Sequence, residues 1–324
     1  MSVYHDYEFE AVLASSLRAQ WQLDDVLRAD QELDFSRNFL PESLARTARV
    51  QGLNADERRA LNQISAHQYL HLFGVVEEFI LPFVMDHARP ILLEDDFRTR
   101  ALLNFATEEA KHIHLFNRFK AAFARGFPVE CRMVGPREAL PRRILSHDPL
   151  AVGLVILMIE WMTQEHYLGS IRDDGDIDPL FKSLLRHHWM EECQHAKLDT
   201  LIVDAIARGR PEEELGGIAN DYFRICGFLD ASLKAQAALN VATLEHAIGR
   251  KVQDRRALIA QQHRAARSTY IGSGMAHPRF RATLTAISPR LAKAVDSAVT
   301  PSARARQQPL RPGAAPNRSL AAPA

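Results

Sequence analysis

Apolar residues recur along this chain at intervals of three and four. The alternation of two that marks a half-buried strand is nearly missing, so almost all of the secondary structure should be helical. Proline and glycine set the boundaries. A long helix is predicted over 54–87, with Asn54 as its N-cap and a kink at Pro82. A short loop at Pro90 leads into a second helix over 94–125, stopped by Gly126. Residues 126–147 contain Pro128, Gly135, Pro136 and Pro141 and read as a long connection. The third and fourth helices open at Asp148-Pro149 and Asp178-Pro179, an N-cap followed by proline at the first helical position, and run to Gly169 and Gly209. Beyond them, 211–270 reads as further long helix and 278–298 as a last one. The tail from Pro301, with five prolines and no acidic residue, reads as disordered.

Connection length decides the topology. Short loops between long helices force antiparallel neighbours, whereas about 22 extended residues reach roughly 70 Å against about 45 Å for a 30-residue helix. The 126–147 connection can therefore return along the whole bundle and set the third helix parallel to the second. Two antiparallel pairs joined by one crossover make an all-α, ferritin-like four-helix bundle. Extra N- and C-terminal helices complete a single domain over 1–300, followed by a basic tail over 301–324.

Charge and cysteine content narrow the function. Lys+Arg and Asp+Glu both number 40, so the net charge is zero and nothing in the total argues for a nucleic-acid partner. Residues 250–324 nevertheless hold fourteen basic side chains and two acidic ones, a net +12. The stretch near Arg255 and Arg256 has no interleaved aromatic platform, so it reads as a solvated helix face or a docking surface for an acidic redox partner. The odd cysteines Cys131, Cys193 and Cys226, without CxxC spacing, point to neither a disulfide framework nor a thiolate zinc site. A reducing compartment suits them. The N-terminus carries acid where a signal peptide carries base, and the longest uncharged apolar run, 149–159, is about half of the roughly 20 residues a membrane span needs. A soluble cytoplasmic protein without a membrane partner is expected.

The chemistry resides in two ExxH segments, Glu109-Ala110-Lys111-His112 and Glu192-Cys193-Gln194-His195. Positions i and i+3 share a helix face, so each segment can offer a carboxylate and an imidazole to one ion. Both lie inside apolar stripes: Leu102, Phe105, Glu109, His112, Phe116, Phe119 and Phe123 on one helix, and Phe181, Leu185, His188, Glu192, His195, Asp199 and Ile202 on the other. Ionised carboxylates buried in this way cost several kcal/mol each unless cations compensate. Glu77 and Glu160 occupy matching apolar stripes on the remaining two helices. A shift of 83 residues maps Glu77, Glu109 and His112 onto Glu160, Glu192 and His195, so the two halves repeat in register. This duplicated set predicts two metal ions, bridged by Glu109 and Glu192. His188, one turn before Glu192, breaks the symmetry because the shift places Phe105 opposite it. It stands either as a third imidazole on one iron or as a core histidine.

Glu77, Glu109-x-x-His112, Glu160 and Glu192-x-x-His195 resemble the ligand set of ferritin-like non-haem di-iron carboxylate proteins over roughly residues 54–208. Within them, His188-x-x-x-Glu192-x-x-His195 is similar to the fourth-helix motif of p-aminobenzoate N-oxygenase-type arylamine oxygenases, in which the additional histidine is a metal ligand. The resemblance implies two iron ions, with Fe/Mn as an alternative, O2 as co-substrate, oxygen insertion into a small organic substrate such as an arylamine, and two electrons from an external reductase or ferredoxin. A homodimer is a further expectation. Mixed Glu/His ligation suits iron or manganese. Phe73, Phe105, Phe116 and Ile156 are candidates to wall an apolar substrate pocket.

Several alternatives stay open. Glu78 competes with Glu77, and Glu165 with Glu160. Glu108 and Glu191 read either as solvated flanks or as groups that orient the imidazoles, a role to which Asp199 is better placed. Cys193 reads as packing. An iron-storage protein, a radical-type protein and a metal-free scaffold are the competing functions, although a radical protein of that type carries tyrosine where this chain has Phe116.

Overall fold

The computed structural model describes residues 4–93 and 96–306. Its helices are α1 (Phe9–Ala19), α2 (Leu23–Val26), α3 (Glu42–Ala45), α4 (Ala55–Ala88), α5 (Asp96–Gly126), α6 (Ala139–Ile144), α7 (Pro149–His166), α8 (Pro179–Ala207), α9 (Glu212–Ala247), α10 (Arg255–Arg267), α11 (Ser273–Ala276), α12 (Pro278–Ile287) and α13 (Pro289–Arg306). Among the described residues there is no strand, only a bridge between Asn38 and Ile177.

Local chemistry starts each long helix where the sequence signals it. The Asn54 side chain accepts from the Glu57 amide while the Glu57 carboxylate accepts from the Asn54 amide, a reciprocal cap at the head of α4. Asp148 and Asp178 accept from the amides of Leu150 and Phe181, with proline next in each chain. Pro82 lies within one continuous α4. By length and composition the segment Ala55–Ile91 could cross a bilayer, but 61% of its most apolar window is buried, as expected of a core helix.

Cross-helix pairs define the bundle. The His67 ring packs against Phe123 and the Phe73 ring against Phe116, so α4 and α5 are antiparallel. His112 bonds Glu191 and Glu108 bonds His195, which makes α5 and α8 antiparallel. Tyr167 stacks on Trp189, and Gly153 lies against Val203, setting α7 antiparallel to α8. It follows that α5 and α7 run parallel, joined by the crossover that contains α6. On the outside, α1 packs over α5 and α8, and α9 over α4 and α7.

The C-terminal third departs from expectation. The single helix predicted over 211–270 is two, α9 and α10, separated where Gly249 takes φ +67°, a left-handed conformation that ends α9 without steric cost. Asp254 then restarts the chain by accepting from the Ala257 amide. The helix predicted over 278–298 breaks at Ser288, because Pro289 cannot continue the hydrogen bonding of α12. Helix α13 extends past Pro301 to Arg306, and the rest of the tail lies outside the described residues. Gly274 brings α11 onto α7 so closely that a Cβ there would lie 2.4 Å from the Met158 carbonyl oxygen.

Candidate metal centre

The stripes read from the sequence converge on the bundle axis. Glu77, Glu109, His112, Glu160, His188, Glu192 and His195 are all buried, none more than 2% exposed. Ligand-type atoms of Glu77, His112, His188 and Glu192 lie within 4.8 Å of one another, as do those of Glu109, His112, Glu192 and His195, giving two overlapping groups. Glu192 and His112 belong to both. Glu160 approaches from α7 and shares a hydrogen bond with Glu192. His188 Nε2 sits 2.9 Å from Glu192 and 3.3 Å from Glu77, at the Glu77 end of the cluster.

The neighbouring alternatives point elsewhere. Glu78 points away from the cluster and pairs with Arg137 at 2.6 Å, while Glu165 is exposed. Cys193 donates from Sγ to Gln164 at 2.9 Å, a packing contact.

The two imidazoles are held from outside by each other's half of the chain. His112 Nε2 lies 2.8 Å from Glu191, and His195 Nε2 lies 2.9 Å from Glu108. A carboxylate only accepts, so Nε2 is the donor and Nδ1 is aimed inward. Glu108 and Glu191 are related by the same shift of 83 and are buried, which removes the reading of them as solvated flanks. Glu108 also accepts from the Ser16 hydroxyl of α1 at 2.6 Å, and Glu191 pairs with Lys111, whose ammonium lies 4.0 Å from the centre of the Trp21 ring. Asp199 takes no such role. It is fully buried with neither oxygen hydrogen-bonded, because His195 turns its Nε2 toward α5 rather than along α8. Burial, reinforced by the charges of Glu109 and Glu192, drives the Asp199 pKa well above the carboxylate range.

The inward atoms fit metal ions. The Nδ1 atoms of His112 and His195, both oxygens of Glu109, and one oxygen each of Glu77, Glu160 and Glu192 are buried and turned into the cluster without a well-aligned hydrogen bond, and the closest approaches there are His112 Nδ1 to Glu192 at 3.1 Å and His195 Nδ1 to Glu109 at 2.9 Å. So many buried carboxylates and ring nitrogens gathered in two overlapping groups leave a large uncompensated cost unless cations fill them. Burial opposes charge on His112, but the bonds to Glu191 and Glu192 outweigh it and hold the pKa up at about 9. His195 is likewise raised, against burial, by Glu192 and Glu109. Burial together with the Glu192 charge pushes Glu160 well up, whereas His188 and His195 hold Glu192 well down despite its burial. Metal ions would displace the protons that these imidazoles otherwise keep.

The rings expected to wall a pocket pack directly on the imidazoles. Phe105 stacks on His195 at 4.1 Å between ring centres, and Phe73 and Phe116 meet His188 edge-on at 5.2 and 5.0 Å. Sequence reasoning did not single out Ser16, Lys111, Trp21, Tyr69 or His166. Their roles depend on contacts far apart in the chain, although the repeat that located Glu109 and Glu192 also contained the Glu108 and Glu191 pair.

A four-helix bundle that turns carboxylates and imidazoles inward is the framework of the ferritin-like di-metal oxidoreductases. The family described as p-aminobenzoate N-oxygenase AurF matches residues 14–270, and the chain belongs to it. The protein is thus an enzyme, a di-metal oxygenase that uses O2 and a small-molecule substrate. No curated protein matches the sequence. Among solved structures, an R2-like ligand-binding oxidase with an aerobically reconstituted Mn/Fe cofactor is similar, at 15% identity and a TM-score of 0.40, covering 83% of this chain and 94% of that chain. A glycine-to-leucine variant of an R2-like ligand-binding oxidase, with a non-activated Mn/Mn cofactor, is 14% identical with a TM-score of 0.40 over the same shares.

Proposed function

We propose that Glu77, Glu109, His112, Glu160, His188, Glu192 and His195 would hold two iron ions, and that the enzyme N-oxygenates an arylamine. The observation that carries the metal assignment is the pair of inward Nδ1 atoms, each facing a buried carboxylate of the cluster and each backed by a second buried carboxylate on Nε2. The family to which the chain belongs supports the substrate class. When bound, the metal pair supplies the redox chemistry that activates O2 for oxygen transfer.

The protein's own groups orient and shield. Glu191 and Glu108 keep both imidazoles in one tautomer, with the lone pair of Nδ1 directed to the bundle axis. His188 adds a neutral donor beside Glu77 and Glu192. Phe73, Phe105 and Phe116 exclude water around the imidazoles, so charge differences at the centre are felt in a low dielectric. Glu160, kept neutral by burial, can hold a proton toward Glu192 until an ion takes its place. Two electrons per turnover come from an external reductase or ferredoxin, for which the exposed Arg255 and Arg256 at the start of α10 offer a suitable docking face. We also infer a cytoplasmic enzyme and a homodimer.

The test is elemental analysis of iron-loaded protein, with about two ions per chain expected. Glu109→Ala and Glu192→Ala should each abolish the pair, and unchanged metal content in either would remove the assignment. Oxygen uptake by chemically reduced protein should then yield an N-oxygenated product from arylamines. Uptake without product from any arylamine would refute the substrate class while leaving the centre intact.

A further inference from the structure

Tyr69, on α4 two turns before Glu77, is fully buried, and its hydroxyl lies 3.2 Å from Nδ1 of His166 at the end of α7. The other nitrogen of His166, Nε2, lies 2.9 Å from the Thr269 backbone carbonyl, which can only accept. The proton of the neutral ring is thereby placed on Nε2, and Nδ1 is left as the acceptor for the Tyr69 hydroxyl. Burial holds the His166 pKa down at about 4, so the ring is neutral at physiological pH and free to take a proton.

The phenol is also wired to the centre by ring contacts. Tyr69 stacks on Phe73 at 4.3 Å between ring centres and 23° between planes, and Phe73 meets His188 at 5.2 Å. On the other side Tyr69 approaches Tyr270 at 5.8 Å. Tyr270 is half-buried and lines a small cavity of about 20 Å³ together with Gln68, Asn240 and Gln262. The rings form one continuous path from that cavity to the metal centre.

We propose that Tyr69 is a proton-coupled one-electron donor to the oxidising metal centre. One electron leaves Tyr69 by way of Phe73 and His188 while its hydroxyl proton passes to Nδ1 of His166, leaving a neutral tyrosyl radical and an imidazolium that keeps its bond to Thr269. The oxidant is the O2-activated centre, so the inference rests on the oxygenase reading. A one-electron reductant reaching Tyr270 restores the phenol, and His166 returns the proton. An oxidised phenol is a far stronger acid than an imidazolium, so the transfer to His166 is downhill once the electron has gone. This tyrosine lies on α4, away from the position after His112 that Phe116 occupies.

Two arms test it. Iron-loaded, reduced protein is exposed to O2 without substrate, frozen and examined by electron paramagnetic resonance, with metal content and O2 uptake measured on the same samples. The expected tyrosyl signal narrows when ring-deuterated tyrosine is incorporated and disappears in Tyr69→Phe. In the second arm metal-free protein is oxidised by a flash-activated ruthenium polypyridyl complex, which does not depend on loading. A long-lived tyrosyl radical is expected, lost in Tyr69→Phe and shortened in His166→Gln. Protein that takes up O2 normally and shows no tyrosyl signal, or a signal unchanged by Tyr69→Phe in either arm, overturns the proposal. Failure to bind iron would instead count against the metal assignment, and the second arm would still decide on Tyr69.

Discussion

Replacing Glu191 by Gln probes the support of the centre without touching a metal-facing atom. Glu191 is fully buried and offers one oxygen to His112 Nε2 at 2.8 Å and the other to Lys111. A glutamine keeps the shape but has a single carbonyl oxygen, so its NH2 must face one of two groups that can only donate. One buried donor is orphaned whichever way the amide turns. Loss of such an outer partner costs about 10–100-fold in metal affinity, or roughly 1.4–2.7 kcal/mol. Glu108→Gln provides an internal comparison. Its second partner is the Ser16 hydroxyl, which can rotate to accept from the new NH2, so the effect on the His195 side should lie near tenfold, the low end of that range. Anaerobic Fe(II) titration by calorimetry reads both affinities. Affinities equal to the parent's, or a larger loss for Glu108→Gln than for Glu191→Gln, would show that packing rather than the carboxylates orients the imidazoles.

Other outcomes follow from the same geometry. His188→Ala should keep two metal ions but alter the visible spectrum of the cobalt-substituted protein, and an unaltered spectrum makes His188 a packing residue. Gly274→Ala sets a methyl group 2.4 Å from the Met158 carbonyl and should destabilise by about 1–3 kcal/mol, seen as a lower midpoint in thermal melts. Burial lowers the His166 pKa to about 4 against about 6.5 in the unfolded chain, so the unfolded state binds the extra proton between these values. The contribution of this ring is complete above about pH 6.5 and is lost as the pH falls toward 4, amounting to about 3 kcal/mol. Urea midpoints of the metal-free protein should therefore show His166→Gln gaining on the parent across that interval, and parallel curves would contradict the assignment of a neutral ring.

The four bundle helices were legible because their signals are local. Asn54 with Glu57, Asp148-Pro149 and Asp178-Pro179 mark starts within one turn, and the stripe around Glu109 follows from helix periodicity alone. The metal-facing set was legible because it is duplicated at a constant shift. What each imidazole leans on was not, since the pairing of His112 with Glu191 arises from the antiparallel contact of α5 with α8, which spacing along one helix does not encode. For the same reason Asp199, one turn from His195 in sequence, contributes nothing to its orientation. The break after α9 had a local sign in Gly249 and the Asp254 cap, but the apolar period continues on both sides and obscured it. Tyr69 with His166 had no sequence signal, because its meaning comes from the Thr269 carbonyl about 100 residues beyond the histidine.

The crossed support of the two imidazoles has a consequence for assembly. Each half of the chain carries its own inward nitrogen yet borrows the anchor for it from the opposite half, so neither helix pair alone owns a finished pole. Were the backbone severed within the crossover at 127–138, the separate pieces should bind iron feebly, and mixing them should restore tight uptake cooperatively rather than piece by piece. The enzyme behaves as an obligate partnership folded into one polypeptide.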